Sequence, residues 1–383
     1  MDVIVIGGGI VGLSAAYYLA DRGADVVLFE KGSLGMESTA RSAGGIRSQF
    51  STAVNVDLSL ASKRVWNDFE EEFGVDIAYR KNGYLFLARS ESVAETFHEN
   101  VEMQRDRGAE TELLSPDEAT AHCPGLVPDE FVAATFNADD GFADPNLAVQ
   151  GYALRARERG VEIETKTNVT DVLRDDDRVV GVETDAGERH EADFVINAAG
   201  AFAGRVAEMA DVSLPIDPRR RQMAVVDPTK PVPGDVPLTI DLETGSFFRP
   251  ERDGNAIVGG HFADEDPTVD PERYDESMSL EWGADAVEHA ADYVTYFDLE
   301  TRIRRGWAGL YAVTPDDHPI VAETVPGFVT AAGFSGHGFQ HAPATGQIVA
   351  EIVHDGQSDL VDVSSLSSDR FETGDLLVER NVA

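Results

Sequence analysis

The chain has 383 residues, enough for two cores, since a single core stops growing near roughly 250–300 residues. Its 31 basic and 70 acidic residues give a formal net charge of −39, which excludes nucleic acid and anionic membrane as partners, both being negative themselves. A single cysteine, Cys123, excludes an intramolecular disulfide, and no run of roughly 18 apolar residues occurs, so a reducing, cytoplasmic setting without a membrane span is expected.

The acid is spread along the chain, and apolar periodicity persists between the acidic patches, unlike a disordered acidic tail. Five of the 31 basic residues are lysine (Lys31, Lys63, Lys81, Lys166, Lys230) and the rest are arginine. This pattern resembles proteins of salt-accumulating organisms, in which a carboxylate-rich surface competes for water.

The opening stretch "DVIVIGGGIVGLSAAYYLADRGADVVLFEK" predicts strand, turn, helix and strand in that order. Gly7 allows the tight turn, Gly9 lets backbone approach a pyrophosphate, and Gly12 permits close packing of helix on strand. Ile10 and Val11 open the helix, whose free N–H groups and partial positive charge suit phosphates. The second strand closes on Glu30, placed to accept hydrogen bonds from both ribose hydroxyls of an adenosine, with Lys31 beside it. The loop that follows, "KGSLGMESTARSAGGIRSQFS", is built of small residues, and Thr39, Arg41, Ser42, Ala43, Gly44 and Gly45 are expected along a flat ring system. A cofactor reaching that far is FAD.

Residues 79–141 and 213–311 read as strands of a mixed or antiparallel sheet with an amphipathic helix near 280–297. From Asp144, an N-cap followed by Pro145, a helix leads into strand-like runs at 161–165, 168–174 and 178–184, expected to form a three-stranded meander. Val169 lies on the second run and is expected at the cofactor. A further strand ends in "NAAG", where Ala199 and Gly200 leave space beside it. Near the end, "AAGFSGHGFQHAPATGQIVAEIV" places Gly333, Gly336 and Gly338 in a loop whose backbone at His337, Phe339 and Gln340 can approach the flavin, with a helix opening near Pro343. His337 and His341 are four apart, but no acidic ligand lies between them and the glycines deny a helix at His337, so no metal is expected.

The fold class is therefore α/β: a Rossmann-type, glutathione-reductase-like FAD-binding domain (1–78, 142–212 and 312–383) interleaved with a mixed-sheet α+β substrate domain (79–141 and 213–311). Through "VIGGGIVGLSAAYYLA", "STARSAGGIRSQFS", "DGFADP", "VINAAGAFA", "RGWAGLYAVTPDDHPIV" and "GFSGHGFQHAPATGQIVAE", the chain resembles the D-amino-acid oxidase superfamily of FAD enzymes, nearest the sarcosine oxidase and dehydrogenase and proline dehydrogenase β-subunit branch.

The resemblance implies oxidation of a small amine or amino acid, of the N-methyl or D-amino-acid type, by hydride transfer from the carbon next to nitrogen to flavin N5, followed by imine hydrolysis. It puts Arg47 of "GGIR" at the substrate carboxylate, which suits a planar, permanently charged fork. Tyr311, His261 and Gln340 join it as pocket residues, His261 being equally readable as a half-buried strand histidine. Where the sarcosine oxidases bond flavin to a cysteine this chain has Gly309, implying non-covalent FAD. Gln340 replaces a lysine that shares the carboxylate, and no lysine stands near "GNAIVGGHF", where the oxidase keeps one that assists oxygen. A dehydrogenase with an unknown electron acceptor is expected over an oxidase. The alternatives are a flavoprotein assembly or electron-transfer partner without amine turnover, and a 2-hydroxy-acid dehydrogenase of the same fold.

Overall fold

The computed structural model describes residues 1–381; the last two residues of the 312–383 segment lie outside it. Its first sheet has six strands in the order Ile320–Val325, Phe328–Ala332, Phe194–Asn197, Asp2–Ile6, Asp25–Glu30, Glu162–Thr165. All neighbours are parallel except the hairpin of the first two. Asp2–Ile6 and Phe194–Asn197 sit at the centre with both faces covered, which is why "DVIVI" and "FVIN" read as nearly unbroken apolar runs. Helices Ile10–Asp21, Ala53–Asn67, Pro145–Glu158 and Gly338–Asp355 cover one face around Leu13, Trp66, Tyr152 and Ile348. An antiparallel meander and the short helix Ala203–Met209 cover the other.

That meander corrects the reading of the sequence. Its strands are Val169–Asp175, Arg178–Thr184 and Arg189–Glu191, while Glu162–Thr165 pairs in parallel with Asp25–Glu30 in the large sheet. "RHE" is too short and polar to signal a strand locally, and "EIET" is recruited by an edge more than 130 residues upstream.

The second sheet has eight strands, in the order Arg302–Val313, Asp217–Asp227, Ala256–Gly260, Phe247–Pro250, Leu238–Asp241, Tyr84–Ala88, Ala133–Asn137, Glu112–Leu114. One pair, Leu238–Asp241 with Tyr84–Ala88, is parallel. Alternation divides its faces. Leu85, Leu87, Ala224 and Val226 pack under the helix Leu280–Tyr293, whereas Tyr84, Phe86, Met223 and Val225 belong to the opposite face with Ile240 and Phe247. That second face looks onto the first sheet's loops.

The helix expected near Pro343 begins five residues earlier, at Gly338, with His337 as its N-cap. Pro343 cannot donate to the Phe339 carbonyl. The Ala53–Asn67 helix supplies the partners that keep this turn intact: Ala344 N–H donates to Ser62 Oγ at 3.1 Å, and the Gln340 carbonyl accepts from Trp66 Nε1 at 2.8 Å. Among the described residues no helix is long and apolar enough to cross a membrane.

Candidate active site

Two adjoining cavities of about 210 and 330 Å³ share Gly9, Ser38, Thr39, Ala198, Gly200 and Leu310 in their walls and so form one trough between the sheets. One end is walled by Gly7, Glu30, Lys31, Val169, Ala199 and Phe202. The other is walled by Arg47, Tyr84, Tyr311, His337 and Gln340.

At the first end the glycines have separate causes. Gly7 has φ +110°, and a Cβ on it would lie 2.5 Å from the Ala198 carbonyl oxygen. A Cβ on Gly12 would lie 2.0 Å from the Gly7 oxygen, so Gly12 seats the helix without touching the trough, whereas one on Gly9 would meet nothing nearer than Thr39 Oγ1 at 3.4 Å. That open space is the trough itself, bordered by Ile10 and Val11. Ile10 N–H donates to Thr39 Oγ1 at 3.2 Å. The Glu30 carboxylate accepts from Gly8 N–H and Gly32 N–H, both at 2.7 Å, which fixes its plane. The Lys31 ammonium lies 3.3 Å from the Phe202 ring centroid.

The small-residue loop forms the long wall. Arg41 pairs with Glu276 at 2.7 Å and its carbonyl accepts from Trp307 Nε1; Ser42 Oγ accepts from Gly44 N–H; the Ala43 carbonyl accepts from Arg249 Nε. A Cβ on Gly45 would lie 1.8 Å from the Tyr84 hydroxyl, and one on Gly309 would lie 3.0 Å from Arg41. Gly44 is outside the wall: it has φ +73° and abuts the Ala143 carbonyl. Gly333 and Gly336 have φ +82° and +99°, and the Gly336 position is pressed against the Tyr311 ring. Gly338 begins the helix, and Phe339 lines the trough while its ring stacks on Trp66.

At the second end Arg47 is 7% exposed, its guanidinium 3.8 Å over the Phe50 ring. Nη1 donates to the Gln49 carbonyl and Nη2 to the Asn381 carbonyl; among the described residues it makes no ion pair. Burial pushes its pKa down, opposed by Tyr84, Glu379 and Asp140. Gln340 Oε1 accepts from the Arg47 backbone N–H at 2.8 Å, so the amide anchors Arg47 as well as lining the trough. Burial raises the pKa of Tyr311, keeping it a neutral phenol.

The two histidines form one neutral chain. His337 Nε2 lies 2.9 Å from the Asp317 carbonyl, which can only accept, so Nε2 carries the proton. Nδ1 must then accept from His341 Nδ1–H at 3.1 Å, which leaves His341 Nε2 to accept from Ser59 Oγ at 2.9 Å. Burial pushes His337 down to about 4 and lowers His341 as well. No three His, Cys, Asp or Glu side chains among the described residues gather to hold a metal. His261, expected in the pocket, is not part of its wall: it follows the strand Ala256–Gly260, with Nε2 at 3.9 Å from Asp266.

Sequence reasoning missed Arg221, which lines the trough, pairs with Asp266 at 2.6 and 2.8 Å and lies 5.3 Å from the Tyr311 ring. It also missed Tyr84, the apolar wall of Met223, Leu238, Ile240 and Phe247, and a buried network under Arg47. In that network Asp140 is fully buried and accepts from Ser48 N–H, Ser48 Oγ, Gln49 Nε2 and Lys63 Nζ. A lysine among the small and apolar residues of a helix, in a chain with five lysines, was the available signal for it.

A slot that starts at a helix N-terminus and runs to a buried arginine without an ion pair among the described residues fits one class, a dinucleotide-binding protein. Residues 2–352 match the family described as FAD dependent oxidoreductase (DAO), and the chain belongs to that family. It is 32% identical to FAD-dependent oxidoreductase domain-containing protein 1 of Xenopus laevis, over 100% of this chain and 84% of the relative. It is 29% identical to sarcosine oxidase subunit beta of Rhizobium meliloti (strain 1021), over 99% of this chain and 90% of the relative. Among solved structures, L-proline dehydrogenase from P. horikoshii superposes with a TM-score of 0.89 at 34% identity, covering 98% of each chain. The residues present fit FAD: Glu30 and the Gly7–Gly9 turn at the adenosine end, with Gly9 open to the trough, and a long wall in which Gly45, Gly309 and Gly336 carry no side chain.

Proposed function

We propose that the protein oxidises a small amino acid at the carbon bearing nitrogen and passes the electrons to an acceptor other than oxygen. The observation that carries this reading is Arg47: a buried guanidinium without an ion pair among the described residues, in the wall of the trough between Tyr84 and Tyr311. Among the described residues the charged side chains lining that cavity are Arg41, Arg47 and Arg221, with no acid, although the chain carries a net charge of −39. Such a pocket selects an anion and offers nothing to a polyamine. The names of the relatives, sarcosine oxidase and L-proline dehydrogenase, point to substrates that carry a carboxylate.

Bound FAD supplies the two-electron acceptor. Arg47 holds the carboxylate as a fork, and its own backbone is fixed by Gln340. Met223, Leu238, Ile240 and Phe247 take the aliphatic body and exclude water. With no acid to retain an ammonium, the wall favours the neutral amine, whose lone pair assists loss of the neighbouring C–H. The preference for a dehydrogenase rests on the neutral Gln340 and on cations that are arginines, together with the 34% identity to a proline dehydrogenase.

Arg47→Ala should raise KM for L-proline or sarcosine by ~100-fold while changing KM for pyrrolidine or dimethylamine little, a lost charge-assisted pair being worth about 3 kcal/mol. Equal effects on both kinds of substrate would remove Arg47 from the carboxylate. Reoxidation by dissolved oxygen as fast as turnover would overturn the dehydrogenase assignment. A second reading, a flavoprotein without amine turnover, is left open by relatives such as the Xenopus laevis protein, whose name states no substrate.

A further inference from the structure

Glu379 lies outside residues 2–352, the part of the chain that matches the family. It is nonetheless 2% exposed, and its backbone N–H donates to the Asp316 carbonyl at 3.1 Å. Its carboxylate accepts five hydrogen bonds. Oε1 takes Ser51 N–H at 2.7 Å, Ser51 Oγ at 2.6 Å and Asn381 N–H at 3.0 Å; Oε2 takes Thr52 Oγ1 at 2.8 Å and Asn55 Nδ2 at 3.0 Å. Thr52 is the N-cap of the Ala53–Asn67 helix, yet its side chain makes no capping bond. Its hydroxyl goes to Glu379, which places a full negative charge at the helix's positive end.

The consequence falls on Arg47. By taking the Asn381 N–H, Glu379 sets the orientation of residue 381, whose carbonyl accepts from Arg47 Nη2. Asn381 Nδ2 reaches the Gln49 carbonyl at 3.3 Å, the same oxygen that accepts from Arg47 Nη1. The guanidinium plane is thus held by two neutral carbonyls, and the compensating charge stands one layer behind them. A carboxylate in direct contact would occupy the fork and compete with a substrate carboxylate. A buried arginine with no negative charge nearby would carry the whole cost of desolvation. Glu379 meets both demands. Burial opposes its ionisation, but the bonds from Ser51 and Asn55 and the field of Arg47 outweigh this and lower its pKa.

We propose that Glu379 is a positioning residue for substrate binding, acting through Asn381 to hold Arg47 charged, oriented and free to take a carboxylate. This rests on the assignment of Arg47 to the substrate carboxylate, and the test separates the two. The FAD-loaded protein is titrated with pyrrole-2-carboxylate, read from the flavin absorbance, for wild type, Arg47→Ala, Glu379→Gln and Asn381→Pro. Asn381→Pro removes the one N–H by which Glu379 orients that residue and leaves the Glu379 carboxylate in place. FAD per chain and melting temperature are recorded alongside.

Glu379→Gln and Asn381→Pro should each weaken binding at least ~10-fold, with FAD per chain unchanged. Unchanged affinity in a folded, FAD-loaded Glu379→Gln protein overturns the proposal, as does a lower melting temperature without a change in affinity. If Glu379→Gln fails to fold, Asn381→Pro decides on the same criterion. Should Arg47→Ala bind as tightly as wild type, the carboxylate assignment itself falls, whatever the Glu379 variants do.

Discussion

At Gly336 a Cβ would lie 2.2 Å from the Tyr311 ring, on a backbone with φ +99° that L side chains rarely adopt. Gly336→Ala should therefore cost about 1–3 kcal/mol in denaturant unfolding and displace Tyr311, lowering kcat/KM as well. The histidine pair gives a pH signature. His337 is pushed down to about 4 from the usual 6.5, so its contribution to stability is complete above pH 6.5 and is lost as the pH falls towards 4, where the unfolded chain takes up the proton first. Melting temperature should fall across that window, and His337→Asn should flatten part of the fall. Arg47 was legible because "GGIR" is a local motif. Arg221, Tyr84 and Glu379 were not, because each reaches the trough or Arg47 through strands and tail segments far away in sequence. His261 shows the converse: readable equally as a pocket residue or a half-buried strand histidine, it stands beside Asp266 and not in the wall.

The helix Gly338–Asp355 shows how an element can contradict its local signals. Two glycines and a proline argue for a loop up to Pro343, yet the helix starts at Gly338 because Ser62 and Trp66 meet the backbone groups around the proline. Ser62→Ala should leave the buried Ala344 N–H without that partner and lower unfolding free energy by about 1–3 kcal/mol, read from the denaturant midpoint at constant m-value. The opening strand, turn, helix and strand were legible because they are consecutive and the glycine spacing falls within a single turn. Glu162–Thr165 was read as a strand but put in the wrong sheet, because its partner is an edge far upstream, and Arg189–Glu191 was overlooked because three polar residues become a strand only by pairing with Arg178–Thr184. The same holds for the eight-stranded sheet: alternation announced strands, but the face that lines the trough follows only from the order in which they assemble.

Across the whole molecule the net charge of −39 repels itself, and salt screens that repulsion over a Debye length of about 10 Å at 0.1 M. Melting temperature should rise between 0.1 and 2 M KCl; a flat or falling curve would contradict the reading of the acidic surface as salt adaptation. Against this negative surface the trough concentrates arginine at its inner end, so the same charge distribution that repels nucleic acid draws a small anion inward. In the proposed function this anion is an amino acid, and it reduces the cofactor. Anaerobic addition of L-proline and sarcosine to the FAD-loaded protein tests it most directly. At least one of them should bleach the oxidised flavin band, and at the same sub-saturating concentration FAD-loaded Arg47→Ala should bleach ~100-fold more slowly. A wild-type flavin that no amine or amino acid bleaches would contradict it.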